Sequence, residues 1–255
     1  MLWNASAING FVVAETDGEL GSVKDLLIDD TSWVVRWLIV DTGKWLPGRK
    51  VLLPPSVLGK PDREHREFPV KLTKKQVKDS PDVDTDLPVS RQSEAHLYDH
   101  YNWEPYWDGS FSPASLIMAV PTDVTTNPPF SDRRDQHEGP HLAWGNPHLR
   151  SIHAITGYGI HATDGEIGAV EDILIDAANW TVRYLTVDTG NWWPGERVLI
   201  SPRSILKIDW VKKLIYLNVD RETVKKSPPY DPSMTVDGAY DEKYLAYYSM
   251  YYMPM

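Results

Sequence analysis

The chain is one sequence unit written twice, and that duplication constrains the fold more than any other feature. Residues from about 6 to 104 return, almost without gaps, from about 153 to 252. Asp17-Gly18-Glu19-Leu20-Gly21-Ser22-Val23 matches Asp164-Gly165-Glu166-Ile167-Gly168-Ala169-Val170. The same offset pairs Trp33-Val34-Val35-Arg36-Trp37-Leu38 with Trp180-Thr181-Val182-Arg183-Tyr184-Leu185, and Val40-Asp41-Thr42-Gly43 with Val187-Asp188-Thr189-Gly190. More than half of the positions between Asp17 and Pro55 are identical, so the two copies are related units rather than chance similarity. In the tails, Glu94 and Leu97 align with Glu242 and Leu245 after a shift of one residue.

Each unit reads as short strands separated by turn residues. Gly10 to Glu15, Leu20 to Asp29, Trp33 to Asp41, Lys50 to Leu53 and Glu67 to Leu72 are the strands of the first copy. Asp17-Gly18 makes a tight turn between the first two. Strict alternation puts Trp33, Val35, Trp37 and Ile39 on one face of the third strand and Val34, Arg36, Leu38 and Val40 on the other. Thr73 followed by Gln76 is a capping box opening a short helix that stops at Ser80-Pro81. In the second copy, Lys207 to Val219 reads as a hairpin. Even strand spacing with Gly and Pro turns predicts an all-β fold with short helices: two tandem small antiparallel barrels, related by an internal pseudo-two-fold. The expected boundaries are 1–104 for the first unit with its helical tail, 105–150 for a linker rich in Pro, Asp, Asn, Ser and His, and 151–255 for the second unit with a Tyr- and Met-rich tail.

Composition narrows the function. The 255 residues carry a formal net charge of -10 and no cysteine. An acidic surface argues against nucleic-acid binding, and the missing thiols exclude disulfides, thiolate metal sites and cysteine nucleophiles. No signal peptide and no apolar run of membrane-spanning length is visible, which sets the expectation of a cytoplasmic chain without an integral membrane segment.

The patterns Asp17 to Val23, Val40-Asp41-Thr42-Gly43-Lys44-Trp45-Leu46-Pro47-Gly48, Val51-Leu52-Leu53-Pro54-Pro55-Ser56 and Val77-Lys78-Asp79-Ser80-Pro81 resemble the PRC-barrel family. Leu87-Pro88-Val89-Ser90-Arg91-Gln92 with Leu97-Tyr98-Asp99 resembles stand-alone bacterial proteins that carry two such barrels. The family includes the cytoplasmic domain of the photosynthetic reaction-centre H subunit and the C-terminal domain of the ribosome-maturation factor RimM. The resemblance implies a non-catalytic interaction or assembly module with no cofactor and an unidentified protein partner. It also implies a second reading, an H-subunit-like accessory factor of a photosynthetic or membrane electron-transfer complex.

Several residue sets invite a sharper role. Asp25, Asp29 and Asp30, with Asp172 and Asp176, suggest acid–base chemistry or a solvated strand face. Asp41-Thr42-Gly43 and Asp188-Thr189-Gly190 mimic the paired signature of an aspartate-based hydrolase; the alternative is an Asx turn. His96 and His100 are spaced for a helical metal site, and His137, His141, His148 and His153 cluster in and after the linker. Trp45, Trp192 and Trp193 sit in loops, where they form a contact surface, cap the open end of a barrel or pack one barrel on the other. Tyr244, Tyr247, Tyr248 and Tyr251 share a helical face that packs on its own barrel or binds a partner, with Tyr248 and Tyr251 assigned to the contact surface. The barrels are expected to pack within one chain, with a homodimer left open. The copies diverge at Lys44 and Asn191, Leu46 and Trp193, and Arg49 and Glu196, where different contacts are expected.

Overall fold

The computed structural model describes residues 2–15, 18–81, 91–103, 149–190, 192–231, 236 and 238–249. The first unit runs β1 (Leu2–Asn4), α1 (Ala5–Ile8), β2 (Val12–Glu15), β3 (Gly18–Asp29), β4 (Val34–Asp41), β5 (Lys50–Leu53), a 3-10 turn at Pro55–Val57, β6 (Glu67–Pro69), α2 (Lys74–Lys78) and α3 (Arg91–Tyr101). The second repeats it as β7 (Leu149–Ser151), α4 (Ile152–Ile155), β8 (Gly159–Ala162), β9 (Gly165–Asp176), β10 (Thr181–Asp188) and β11 (Arg197–Ile200). It continues with a 3-10 turn at Pro202–Ser204, β12 (Ile205–Asp209), β13 (Leu214–Leu217), α5 (Arg221–Lys225) and α6 (Gly238–Ser249). The capping box is present: Thr73 accepts from the Gln76 amide, and Gln76 accepts from the Thr73 amide.

Among the described residues the strands form one 13-stranded sheet in the order β12-β13-β8-β9-β10-β4-β3-β2-β6, with β1, β5, β7 and β11 paired beside that path. This corrects the antiparallel expectation in two places, because β2 pairs with β6 and β8 with β13 in parallel. Each parallel partner returns to the sheet after three or more intervening strands and arrives running the same way. The hydrogen-bonded path is also open, ending at β12 and β6.

What joins the units is reciprocal. Strand β1, which precedes the first unit, pairs with β9 of the second, placing Trp3 opposite Ile175. Strand β7, which precedes the second, pairs with β3 of the first, placing Arg150 opposite Ile28. At the centre, the Val35 amide donates to the Trp180 carbonyl and the Val182 amide to the Trp33 carbonyl, both at 2.8 Å. Trp33 and Trp180 hold φ of 56° and 57°, a left-handed conformation costly for a bulky residue, at the end of the turns that close β3 onto β4 and β9 onto β10. Trp33 therefore ends a turn rather than beginning a strand.

Two bulges set which residues face the core. The β3–β4 register slips so that Leu27 opposes Trp37 and Ile28 opposes Val35, leaving Arg36 as the extra residue. The slip reverses the alternation: Val35, Leu38 and Val40 enter the main core, while Trp37 and Ile39 turn to the opposite face under α3, with Leu27, Leu52 and Leu97. Strict alternation therefore misplaces Val35. A second bulge leaves Leu20 and Ile167 as the extra residues, beside Gly21 and Gly168, where a Cβ would lie 2.2 Å and 1.9 Å from the Asp41 and Asp188 carbonyl oxygens. Only glycine lets β3 and β9 cross there. The main core is continuous across both units.

Candidate functional site

The repeated aspartates bind the two units together. Asp172 accepts from the amide and hydroxyl of Ser6 in α1, at 3.2 and 2.5 Å. Asp25 accepts from the His153 amide in α4 at 3.1 Å and from the Ser151 hydroxyl. Each carboxylate caps the N-terminal helix of the other unit, supplying acceptors that the first amides of a helix lack. Asp29 and Asp176 shape the inter-unit turns: Asp29 accepts from the Thr31 and Ser32 amides at 2.9 and 3.0 Å, and Asp176 from the Ala178 amide. Asp30 pairs with Arg150 of β7 at 3.1 Å. These side chains are committed to structural hydrogen bonds and ion pairs.

Burial works to raise the Asp29 carboxyl, but the Ser32 and Thr31 amides and the Arg36 guanidinium together hold it below the usual carboxylate range. A depressed folded pKa contributes stability that is present above the unfolded value and lost as pH falls through the folded one. Asp29→Asn is therefore expected to flatten the acid limb of the stability curve between about pH 5 and pH 2, read as urea midpoints across that range.

Asp41 and Asp188 each accept from the amide two residues on, Gly43 at 2.8 Å and Gly190 at 2.9 Å, as an Asx turn does. Antiparallel β4 and β10 meet only at their starts, at Val34 opposite Thr181. The two carboxylates thus lie at opposite far ends, separated by roughly 45 Å of strand at about 3.3 Å per residue. The two Asp-Thr-Gly copies therefore do not form a shared-proton dyad.

The tryptophans pack on their own units. Trp45 is half-buried and donates its indole N–H to the Leu20 carbonyl at 2.7 Å. Trp192 and Trp193, also half-buried, lie under Arg221 and Lys225 of α5, with the cations 5.0 and 5.4 Å from the ring centres. Arg49 donates to the Lys78 carbonyl at 2.7 Å, pinning the end of α2; Asn191 lies outside the described residues. His96 and His100 are both exposed, and His100 Nε2 lies 3.1 Å from the Gln76 carbonyl. His137, His141 and His148 lie outside the described residues, and His153 contributes its amide to the Asp25 cap. Among the described residues, no three His, Asp or Glu side chains group as metal ligands.

The tyrosine tail is a core element. Tyr244 and Tyr248 of α6 are fully buried, and the Tyr244 hydroxyl donates to the Leu199 carbonyl at 2.9 Å. Tyr248 is thus unavailable as the surface residue expected from sequence, because α6 turns Tyr240, Tyr244 and Tyr248 inward. Tyr251 lies outside the described residues. Asp241 accepts from the Tyr184 hydroxyl and pairs with Arg183, and in the first unit buried Glu94 accepts from the Trp37 indole at 2.7 Å. Trp37 and Tyr184 are equivalent strand positions, so Glu94 answers to Asp241. The repeat offset persists through the tail, and the one-residue shift that pairs Glu94 with Glu242 is corrected.

At the seam between the units lie two equivalent grooves. One, of about 1150 Å³, runs between Trp180 of the second unit and Arg36, Pro55, Lys60 and Tyr98 of the first. The other, of about 780 Å³, runs between Trp33 of the first unit and Arg183, Pro202, Lys207 and Leu245 of the second. These positions correspond one to one under the repeat. A cation–π pair also recurs with its partners exchanged: Arg63 over Trp3, and Arg150 over Trp210, both 4.2 Å from the ring centre. Under the repeat, Trp3 answers to Arg150 and Arg63 to Trp210.

The PRC-barrel domain model matches residues 5–77 and again 149–224, more than half of the chain. The chain belongs to the PRC-barrel family. The first match takes in β2 to β6 and most of α2, and the second takes in β7 to β13 and most of α5. PRC-barrel domains in general serve interaction and assembly rather than catalysis. No curated protein matches the chain. No described helix is long and apolar enough to cross a membrane.

Proposed function

We propose that this PRC-barrel protein is a cytoplasmic, non-catalytic assembly module, in which two barrels pair within one chain around an internal pseudo-two-fold. The units of this reading are residues 1–104 and 149–255, joined by a linker over 105–148; the expected start at 151 moves back because Leu149 and Arg150 belong to β7. The observation that carries it is the reciprocal use of chemistry-bearing residues. Asp25 and Asp172, the repeat's best candidates for reactive carboxylates, are each committed to capping the opposite unit. What the repeat leaves open to solvent is the pair of seam grooves; these, with the half-buried Trp45, Trp192 and Trp193 in their loops, we assign to partner contact.

Cross-linking in native cells tests the reading. The expected result is a reproducible adduct with one protein partner. No specific adduct, together with turnover in an unbiased substrate screen, overturns it.

A further inference from the structure

The two units differ most along one strand edge. Strand β12 pairs only with β13 among the described residues and ends the sheet, so its other edge is free. In the first unit no strand forms at the equivalent place. There, Leu58–Val70 and Asp62–Glu67 make isolated bridges, Gly59 stands where the second unit has Leu206, and Pro61 stands where it has Ile208. A Cβ at Gly59 would meet Pro69 at 2.9 Å, and Pro61 has no N–H to offer. Glycine and proline blunt that edge against strand addition, and the second unit has lost both safeguards.

Exposed apolar side chains lie on β12, in the turn after it and on α6, which shares the groove. Leu206, Val211 and Leu245 are 68%, 94% and 39% exposed. Their first-unit counterparts are Gly59, Glu64 and the buried Tyr98. A register slip between Ile205 and Lys207 makes Leu206 a bulge residue and aims it outward. Leu206 and Leu245 line the smaller groove, whose opposite wall is the Asp30–Trp33 turn.

The charge there opposes that of the whole chain. The acidic groups beside the groove are compensated within the molecule: Asp30 by Arg150, Asp241 by Arg183 and Asp209 by Lys212. Arg203, Lys207 and Lys213 form no ion pair with any described carboxylate, and Lys207 lies over the Tyr216 ring. A free edge, outward leucines and uncompensated cations together suit an extended segment that alternates apolar and acidic residues.

We propose that the free edge of β12 docks an acidic, extended peptide segment of a partner protein by strand addition, with apolar side chains over Leu206 and Leu245 and carboxylates against Arg203 and Lys207. This rests on the assembly-module reading and names its site and partner chemistry.

The test uses the full chain and a labelled peptide of about ten residues alternating Glu and Val, with a Lys–Val peptide as its opposite. The Glu–Val peptide is expected to bind at least about tenfold more tightly, more weakly as salt rises, and to slow amide exchange along Ile205–Asp209. Leu206→Glu and the pair Arg203→Glu, Lys207→Glu change exposed groups, so they are expected to keep the melting temperature and lose at least about tenfold in binding. Equal binding of the two peptides, or binding indifferent to these substitutions, overturns the proposal. So does a homodimer that Leu206→Glu dissolves, which gives the edge to a second copy, or Leu206-dependent sedimentation with phosphatidylserine vesicles without peptide binding. In native-cell cross-linking, a partner captured equally by wild type and by Leu206→Glu sinks this site but leaves the module reading standing. Capture by neither, together with turnover in an unbiased substrate screen, sinks the module reading itself.

Discussion

Trp3→Ala is expected to destabilise the whole chain by about 3–5 kcal/mol, the usual cost of truncating a large buried aromatic. That corresponds to a fall of roughly 6–20 °C in melting temperature for a chain of this size. Trp3 sits on β1, whose backbone extends the second unit's sheet, yet its ring packs into the first unit's core. It is 7% exposed, with Phe11 at 5.5 Å and Phe68 at 6.1 Å between ring centres, and Arg63 covers its face. One truncation therefore opens a cavity in one unit and loosens a strand of the other. Amide exchange is expected to speed up both at Val12–Glu15 and at the β9 residues Leu174–Asp176. A change confined to the first unit would mean that β1 serves only its own barrel.

Much of the fold was legible before any coordinates. The duplication, the succession of strands along the first copy, the tight turns and the Thr73–Gln76 box were legible from sequence. The family followed from the same stretches. What was not legible depends on contacts distant in sequence. The bulge at Arg36 shows no local signature, and it alone decides that Val35 and Trp37 face opposite ways. The parallel pairs β2–β6 and β8–β13 arise only once the intervening strands are placed.

The site was less legible than the fold. Asp25 and Asp172 drew notice as carboxylates, but their ligands are backbone amides and hydroxyls of the other unit. Sequence did hold one unused signal. Trp3 with Arg63 against Arg150 with Trp210 is an exchange of residue types between the copies that keeps each pair intact. Such a swap within a repeat points to contact, and it ties the first strand of each unit to its own later turn. The loss of Gly59 and Pro61 in the second copy, replaced by Leu206 and Ile208, was equally visible and marks the edge that the copies do not share.

The central claim is that two sequence units make one fold, each completing the other. Co-expressing residues 1–104 and 145–255 as separate chains measures this directly. Each half alone retains its parallel and antiparallel strands but loses a neighbouring strand, a helix cap and the central Trp33–Trp180 exchange. The account predicts that neither half alone shows native amide protection, and that together they purify as a 1:1 complex with the protection pattern of the intact chain. Two halves that fold separately as stable monomers and do not associate would contradict it.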